Sequence, residues 1–346
     1  MMAALPTFFL LMMGLGTVIT MVSTHWFMAW VGLEMNALAV LPIMIDKSNP
    51  RAVEATTKYF LIQATAALMI LFAAAMNAEH TGSWNIQETM HPAISVLFTL
   101  ALAMKLGLAP FHAWVPEVLQ GLNLKAALIL STWQKLAPIF LLMQIDYFHA
   151  IVLMLAIVSI MIGAWGGLNQ TQLRKLLAYS SIAYMGWLVI IIQYAPALAL
   201  LNFTLYCFAT AATFLILMFT SSTTIAGLAS TSMKSQMLLA MTLMVLLSLG
   251  GLPPLSGFLI KLLTIDELMK QGLIVPTLLI LPPALMSLYF YIRIAHATFF
   301  TMPPNNLTSK TVWRSPQSET PMPLAVCIIL SLMLLPATPA FITLIL

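Results

Sequence analysis

A chain of 346 residues with only 7% charged and 61% hydrophobic residues, at a mean hydropathy of +1.00, cannot fold as soluble domains. Soluble proteins carry about 25% charged residues, and a compact body always leaves a large area facing water. The solvent here is lipid, and at about 20 residues per spanning helix the length accommodates about ten to twelve spans.

Several function classes drop out at once. Cys207 and Cys327 are isolated within apolar runs, so no iron–sulfur cluster and no four-ligand zinc site is expected. The net charge of +4 arises from 14 basic and 10 acidic residues spread thinly; without a polybasic segment no nucleic-acid partner is expected. The opening MMAALPTFFLLMMGLGTVITMV holds no Lys or Arg. It resembles neither a secretory signal nor an Arg-rich transit peptide, and the chain is expected to enter the membrane with its own first helix. Gly14-Leu15-Gly16 lacks a third glycine and follows no strand, so it is no dinucleotide fingerprint. No Walker A, flavin or nicotinamide signature occurs.

In chain order, apolar runs bounded by polar, Pro or Gly residues predict eleven spans near 3–21, 25–45, 57–77, 92–119, 124–144, 148–168, 174–194, 197–221, 236–270, 275–300 and 322–343. The expected class is an all-α polytopic membrane protein forming one domain over 1–346. Two segments are too long or too interrupted to be simple helices. The ninth would reach about 52 Å as a continuous helix against a hydrocarbon core near 30 Å. It holds Gly250-Gly251-Leu252-Pro253-Pro254-Leu255-Ser256-Gly257, which removes donors and interrupts the ladder. The fourth holds Pro110 and Pro116 in LAPFHAWVPE. Breaks are therefore expected near 110–116 and 250–257. Broken backbone at membrane depth persists only where it is buried in protein or lines a wet cavity, and it marks ion paths in many transporters.

Sidedness follows from the loops. One set carries Lys47, Arg51, Lys58, Lys125, Arg174, Lys175, Lys234, Lys310 and Arg314, and the other only Lys270. The opposite loops, 78–91 and 145–149, hold Glu79, His80, Glu88, His91, Asp146 and His149 instead. By the positive-inside rule the N-terminus is expected on the matrix or cytoplasmic side and the C-terminus opposite.

Four basic residues remain inside the spans: Lys105, Lys135, Lys261 and Arg293. Arg293, near a helix end, is read as a snorkelling anchor. A lysine near the bilayer centre costs several kcal/mol, so three of them need an explanation. Glu34, midway along 25–45, is equally deep. A static ion pair that fixes helix register would account for Glu34 and one lysine and leave the other two unexplained. A row of buried lysines wetted by broken helices reads as a proton relay. His112 and Glu117 beside the prolines of the fourth segment, and Asp266 and Glu267 beyond Lys261, could extend the path or face headgroups.

The stretches HWFMAWVGLEMNALAVLPIM, NPRAVEATTKYFL, ALAMKLGLAPFHAWVPEV, TWQKLAP, GAWGGLNQTQLRKLLAYSSIAYMGW and SLGGLPPLSGFLIKLLTIDEL resemble the antiporter-like membrane subunits of respiratory complex I, which are related to subunits of multi-subunit cation/proton antiporters. The resemblance covers nearly the whole chain. It implies a fourteen-helix fold with two broken helices, shortened to eleven in animal mitochondria by loss of the first three. It implies that Glu34, Lys105, Lys135 and Lys261 are the proton-carrying positions. Tyr184, in SSIAYMGW, stands where some relatives have histidine. The resemblance further implies the mitochondrial inner membrane, with the N-terminus in the matrix and the C-terminus in the intermembrane space. The implied partners are the other membrane-arm subunits and membrane lipids such as cardiolipin. NAD, FMN, iron–sulfur clusters and ubiquinone would be bound by partner subunits, with no cofactor in this chain. The alternatives are a component of a cation/proton antiporter and a non-pumping assembly scaffold.

Overall fold

The computed structural model describes residues 4–45, 49–88, 91–145, 149–230, 236–299 and 322–334. Lys47, Asp146, Lys234, Lys310 and Arg314, which contribute to the expected sidedness, lie outside them. Fifteen α-helices are present among the described residues: α1 Ala4–Val22, α2 Trp26–Met44, α3 Pro50–Thr81, α4 Pro92–Leu106, α5 Trp114–Gly121, α6 Leu124–Thr132, α7 Leu136–Gln144, α8 His149–Gly167, α9 Leu173–Ile192, α10 Pro196–Thr220, α11 Ile225–Ser230, α12 Gln236–Gly250, α13 Ser256–Lys270, α14 Ile274–Phe299 and α15 Met322–Met333. A 3-10 turn, Trp133–Lys135, joins α6 to α7. Seven stretches are long and apolar enough to cross a membrane: α2, α3, Leu124–Gln144, α8, α9, α10 and most of α14. Shorter apolar helices lie at Pro6–Val22, Pro92–Leu106, Met237–Gly250 and Met322–Met333. Large apolar side chains face outward along these helices, among them Leu11, Leu68 and Leu285, each more than 60% exposed. Such a surface suits lipid or a neighbouring protein and not water.

Packing divides the chain into two compact units, Met1–Ser159 and Ile160–Leu346. In the first, α1 and α2 touch backbone to backbone. A Cβ on Gly16 would sit 2.9 Å from the Gly32 carbonyl, and one on Gly32 would sit 2.8 Å from the Gly16 carbonyl. Small residues bring helices together in this way where lipid removes the hydrophobic driving force. α3 has 32 residues, about 48 Å at 1.5 Å per residue, and so outruns the expected 57–77 span. Pro50 at its first turn and left-handed Gly82 at its end bound it, and nothing between them interrupts the ladder. Its N-terminal surplus turns carry Arg51 and Glu54.

Both expected breaks occur, each slightly displaced. The first runs over 107–113, between α4 and α5. Pro116 is not in it: it occupies the first turn of α5, where its fixed φ suits a helix start and no intrahelical donor is missed. The second runs over 251–255, and α13 restarts at Ser256. Gly251 turns the chain at φ 80°. Gly257 then packs against the end of α12 so closely that a Cβ there would lie 1.7 Å from the Ser248 carbonyl oxygen. In the second unit α9 is enclosed along its length, with every residue from Ser180 to Ile192 buried.

The Gly257 contact yields a direct test. Gly257→Ala must drive the α12 and α13 halves apart, a strain above the usual overpacking cost of about 1–3 kcal/mol. Melting of the purified assembly should shift downward or the variant should fail to assemble, whereas Gly14→Ala, with no heavy atom within 4 Å of the added Cβ, should melt like the parent.

Candidate functional site

The three deep lysines are each nearly enclosed: Lys105 and Lys135 are 6% exposed and Lys261 is 8%. Each also stands beside, or reaches with its ammonium, an interruption of the helical backbone. Lys105 is in the last turn of α4, two residues before left-handed Gly107. Lys135 ends the 3-10 turn. Lys261 reaches back from α13 to the end of α12.

At the first break the chain satisfies its own loose ends. Gly107 N–H donates to the Met104 carbonyl at 3.2 Å, and Leu108 N–H to the Ala103 carbonyl at 2.9 Å. Trp114 Nε1 donates to the Met104 carbonyl at 3.2 Å and Gln63 Nε2 to the Lys105 carbonyl at 3.4 Å. Ala109 N–H donates to Ser159 Oγ at 2.8 Å. Side chains from α3, α5 and α8 thus hold open a gap that lipid could not solvate.

Glu34 is half-buried on α2 and borders a groove of about 500 Å³ shared with Phe8, Met12, Trp30 and Leu38. Its carboxylate is within Coulombic reach of Lys105 and Tyr59, yet no ion pair within 4.0 Å joins Glu34 to Lys105. Nearby runs a polar thread that sequence reading did not single out. Tyr59 Oη donates to Gln134 Oε1 at 3.2 Å, and Gln134 Nε2 donates to Asn36 Oδ1 at 2.9 Å. Asn36 lies two residues beyond Glu34, and Gln134 precedes Lys135. The 3-10 turn that places Gln134 and Lys135 has a cause in the sequence. Pro138 lacks an N–H and its ring crowds the carbonyl four residues earlier, that of Gln134, so the helix tightens there. The TWQKLAP stretch carried this signal.

In the second unit, Lys261 Nζ donates to the Gly250 carbonyl at 2.7 Å and to Ser287 Oγ at 3.1 Å. The Ala284 carbonyl lies at 3.5 Å. Gly250 ends α12, where unpaired carbonyls and the negative end of the helix dipole favour a cation. The lysine therefore caps one half of the broken helix from the other half. Arg293, expected as an interfacial anchor, donates a hydrogen bond from its guanidinium to the Leu168 carbonyl.

The accessory candidates fall elsewhere. Glu117 pairs with Lys58 at 2.7 Å, and Lys58 also meets Glu54 at 2.8 Å, in an exposed cluster. Asp266 and Glu267 pair with Lys270 at 2.8 Å and 3.7 Å near the end of α13. The exposed pairs, all but that of the partly buried Glu267, are worth about 0–1 kcal/mol each. His112 sits within the first break, half-buried, and its Nδ1 has no protein partner.

Residues 23–287 match a family described as NADH:quinone oxidoreductase/Mrp antiporter, TM. Residues 288–342 match one described as NADH dehydrogenase subunit 2 C-terminus. The chain is 54% identical over 340 residues to NADH-ubiquinone oxidoreductase chain 2 of Salmo salar, covering 98% of this chain and 97% of that protein. With the Scyliorhinus canicula protein of the same name it shares 49% over 329 residues, 94% of each chain. Among solved structures it is similar to a chain of respiratory complex I from Thermus thermophilus with bound aureothin. That match has a TM-score of 0.83 at 28% identity and covers 95% of this chain and 78% of that one. A chain of the Mrp complex from a Dietzia species shares the fold, with a TM-score of 0.81 at 16% identity, covering 96% of this chain and 75% of that one.

The polar thread can be tested by itself. Gln134→Leu should strand the Tyr59 hydroxyl and the Asn36 carboxamide, each at about 1–3 kcal/mol. In a double-mutant cycle with Tyr59→Phe, read by melting of the assembly, the two losses should be clearly less than additive.

Proposed function

Because the chain belongs to the NADH-ubiquinone oxidoreductase chain 2 family, we propose that Glu34, Lys105, Lys135 and Lys261 carry protons in it. The chain is a core, antiporter-like membrane subunit of respiratory complex I, the proton-pumping NADH:ubiquinone oxidoreductase, and crosses the mitochondrial inner membrane several times. NADH, flavin, iron–sulfur clusters and ubiquinone belong to partner subunits in this reading. Redox energy reaches the chain through its neighbours in the membrane arm, which it meets together with lipids such as cardiolipin.

One observation carries the assignment of residues: Lys105 and Lys135 sit beside backbone interruptions, the 107–113 gap and a 3-10 turn, and the Lys261 ammonium bonds across a third, the 251–255 gap. An inert buried charge has no need of a broken helix. A charge that must gain and lose a proton needs polar surroundings on which a water chain can form, and loosened backbone supplies them. The chemistry is acid–base only. A carboxylate near an ammonium holds its proton, and drawing the two apart releases it. The Glu34–Lys105 spacing, wider than an ion pair in this structure, is accordingly the element to vary between uptake and release. A difference of one pKa unit corresponds to about 1.4 kcal/mol, so a small change in that spacing suffices. Lys135 stores the proton and Lys261 passes it on. Glu117, Asp266 and Glu267, tied into ion pairs with Lys58 and Lys270, have no step in this scheme.

Lys135→Met should lower proton pumping and coupled quinone reduction several-fold in the assembled complex. Oxidation of NADH by ferricyanide, which proceeds in other subunits, should stay within error of the parent. Equal pumping in the two would leave the scaffold reading standing.

For sidedness, we place the N-terminus in the matrix and the C-terminus in the intermembrane space, on the loop charges. A cysteine introduced at Arg51, which is exposed, should react with an impermeant thiol reagent in inverted inner-membrane vesicles and be shielded in mitoplasts. The reverse pattern would invert the topology.

A further inference from the structure

The second unit buries more hydroxyl groups around the α12–α13 break than the lysine itself uses. Tyr184 on α9, Tyr206 on α10 and Tyr291 on α14 are 7%, 1% and 1% exposed. The Tyr184 and Tyr206 rings lie 5.0 Å apart, and the three phenols are within electrostatic range of one another. They flank the break. A Cβ on Gly257, at the start of α13, would stand 3.4 Å from Tyr184 Oη. A Cβ on Gly250, whose carbonyl binds Lys261, would stand 3.2 Å from the Tyr291 ring.

Tyr184 Oη has no protein hydrogen-bond partner, and Tyr291 Oη makes no well-aligned hydrogen bond, although the Ser180 hydroxyl lies within its reach. Asn202, one helical turn before Tyr206 on α10, is 1% exposed, and both atoms of its carboxamide are likewise unpartnered. Ser180 and Ser181, one turn before Tyr184, donate back to the Leu177 and Ala178 carbonyls at 2.8 Å each, and their oxygens face the Tyr291 and Tyr206 hydroxyls. An unsatisfied buried polar group destabilises the fold. Phenylalanine and leucine would fill the same space without that cost. Polar groups gathered around one interruption, each with unused donors or acceptors, have the chemistry of a bound-water site, in which a water typically makes about three hydrogen bonds.

We propose that Tyr184, Tyr291 and Asn202 line a buried water-binding site beside the α12–α13 break, and that the two tyrosines are positioning residues for proton transfer through Lys261. The second half rests on the relay described under Proposed function; the first does not. A proton leaving the Lys261 ammonium goes to an adjacent water while that water hands one of its own onward. The phenols orient the water by donating to it or accepting from it, and end each transfer in the state in which they began.

The test uses the assembled complex. A density map of the parent that resolves ordered water should show a molecule within hydrogen-bond distance of Tyr184 Oη or Tyr291 Oη. A dry pocket, or both hydroxyls bonded directly to protein carbonyls, would overturn the site. Tyr184→Phe/Tyr291→Phe together should remove or displace that water. The same variant should lower proton pumping several-fold and raise its solvent-deuterium isotope effect, with ferricyanide-linked NADH oxidation unchanged. Water present in the parent, with pumping and isotope effect both unmoved in the double variant, would overturn the positioning role. Lys135→Met supplies the separating control: if it pumps normally while the water is in place, the relay fails and the water site stands.

Discussion

A backbone N–H or C=O left unpaired in hydrocarbon costs several kcal/mol, because no water is at hand to bind it. Everything unusual in this chain is arranged around that constraint. Where α4 stops, Gln63, Trp114 and Ser159 supply the bonds that the helix no longer makes. Where α12 stops, a lysine does so. The broken helices are thus parts of a closed hydrogen-bond system whose closing members come from other helices, and the interruptions persist only inside that framework. Charge, normally the costliest thing to bring into a membrane, becomes at Lys261 one of the bonds that keep the framework closed.

The placement of the lysines follows from the same constraint. A helical stretch turns its polar groups upon itself and offers a side chain nothing. An interruption exposes carbonyls that an ammonium can bind and amides that a hydroxyl can bind. The 3-10 turn before α7 does this on a small scale, and the gaps after α4 and α12 on a larger one.

Much of this was legible before the fold was known. The paired prolines of GGLPPLSG forced a break, because they remove donors that no helix can spare, and the solitary charges in apolar runs stood out by cost alone. Two features were legible in kind but misplaced. Pro116 suggested a break that Gly107 makes, since a proline in a first turn and a proline in a helix middle look alike in sequence. Pro138 carried the signal for the 3-10 turn, but within 124–144 the apolar run masked it. The partners were not legible at all. That Gln63 meets Lys105, that Gln134 joins Tyr59 to Asn36, and that Ser287 meets Lys261 depend on helix packing across separations of 42, 75 and 98, and 26 residues. Nothing local encodes those encounters. Likewise Tyr184 and Asn202 look like ordinary membrane-helix residues until the hydroxyl of one and the carboxamide of the other are found without partners.

The cap that Lys261 places on α12 has a further consequence for how the protein survives its own chemistry. An ammonium has three hydrogens to give, and an amine has two. The two short bonds at this site, to the Gly250 carbonyl and to Ser287, need only two. Loss of the third hydrogen therefore changes the charge of the side chain without taking either short bond away. The group that gives up a proton can keep its structural task in both of its chemical states, so that turnover need not loosen the joint between the half-helices.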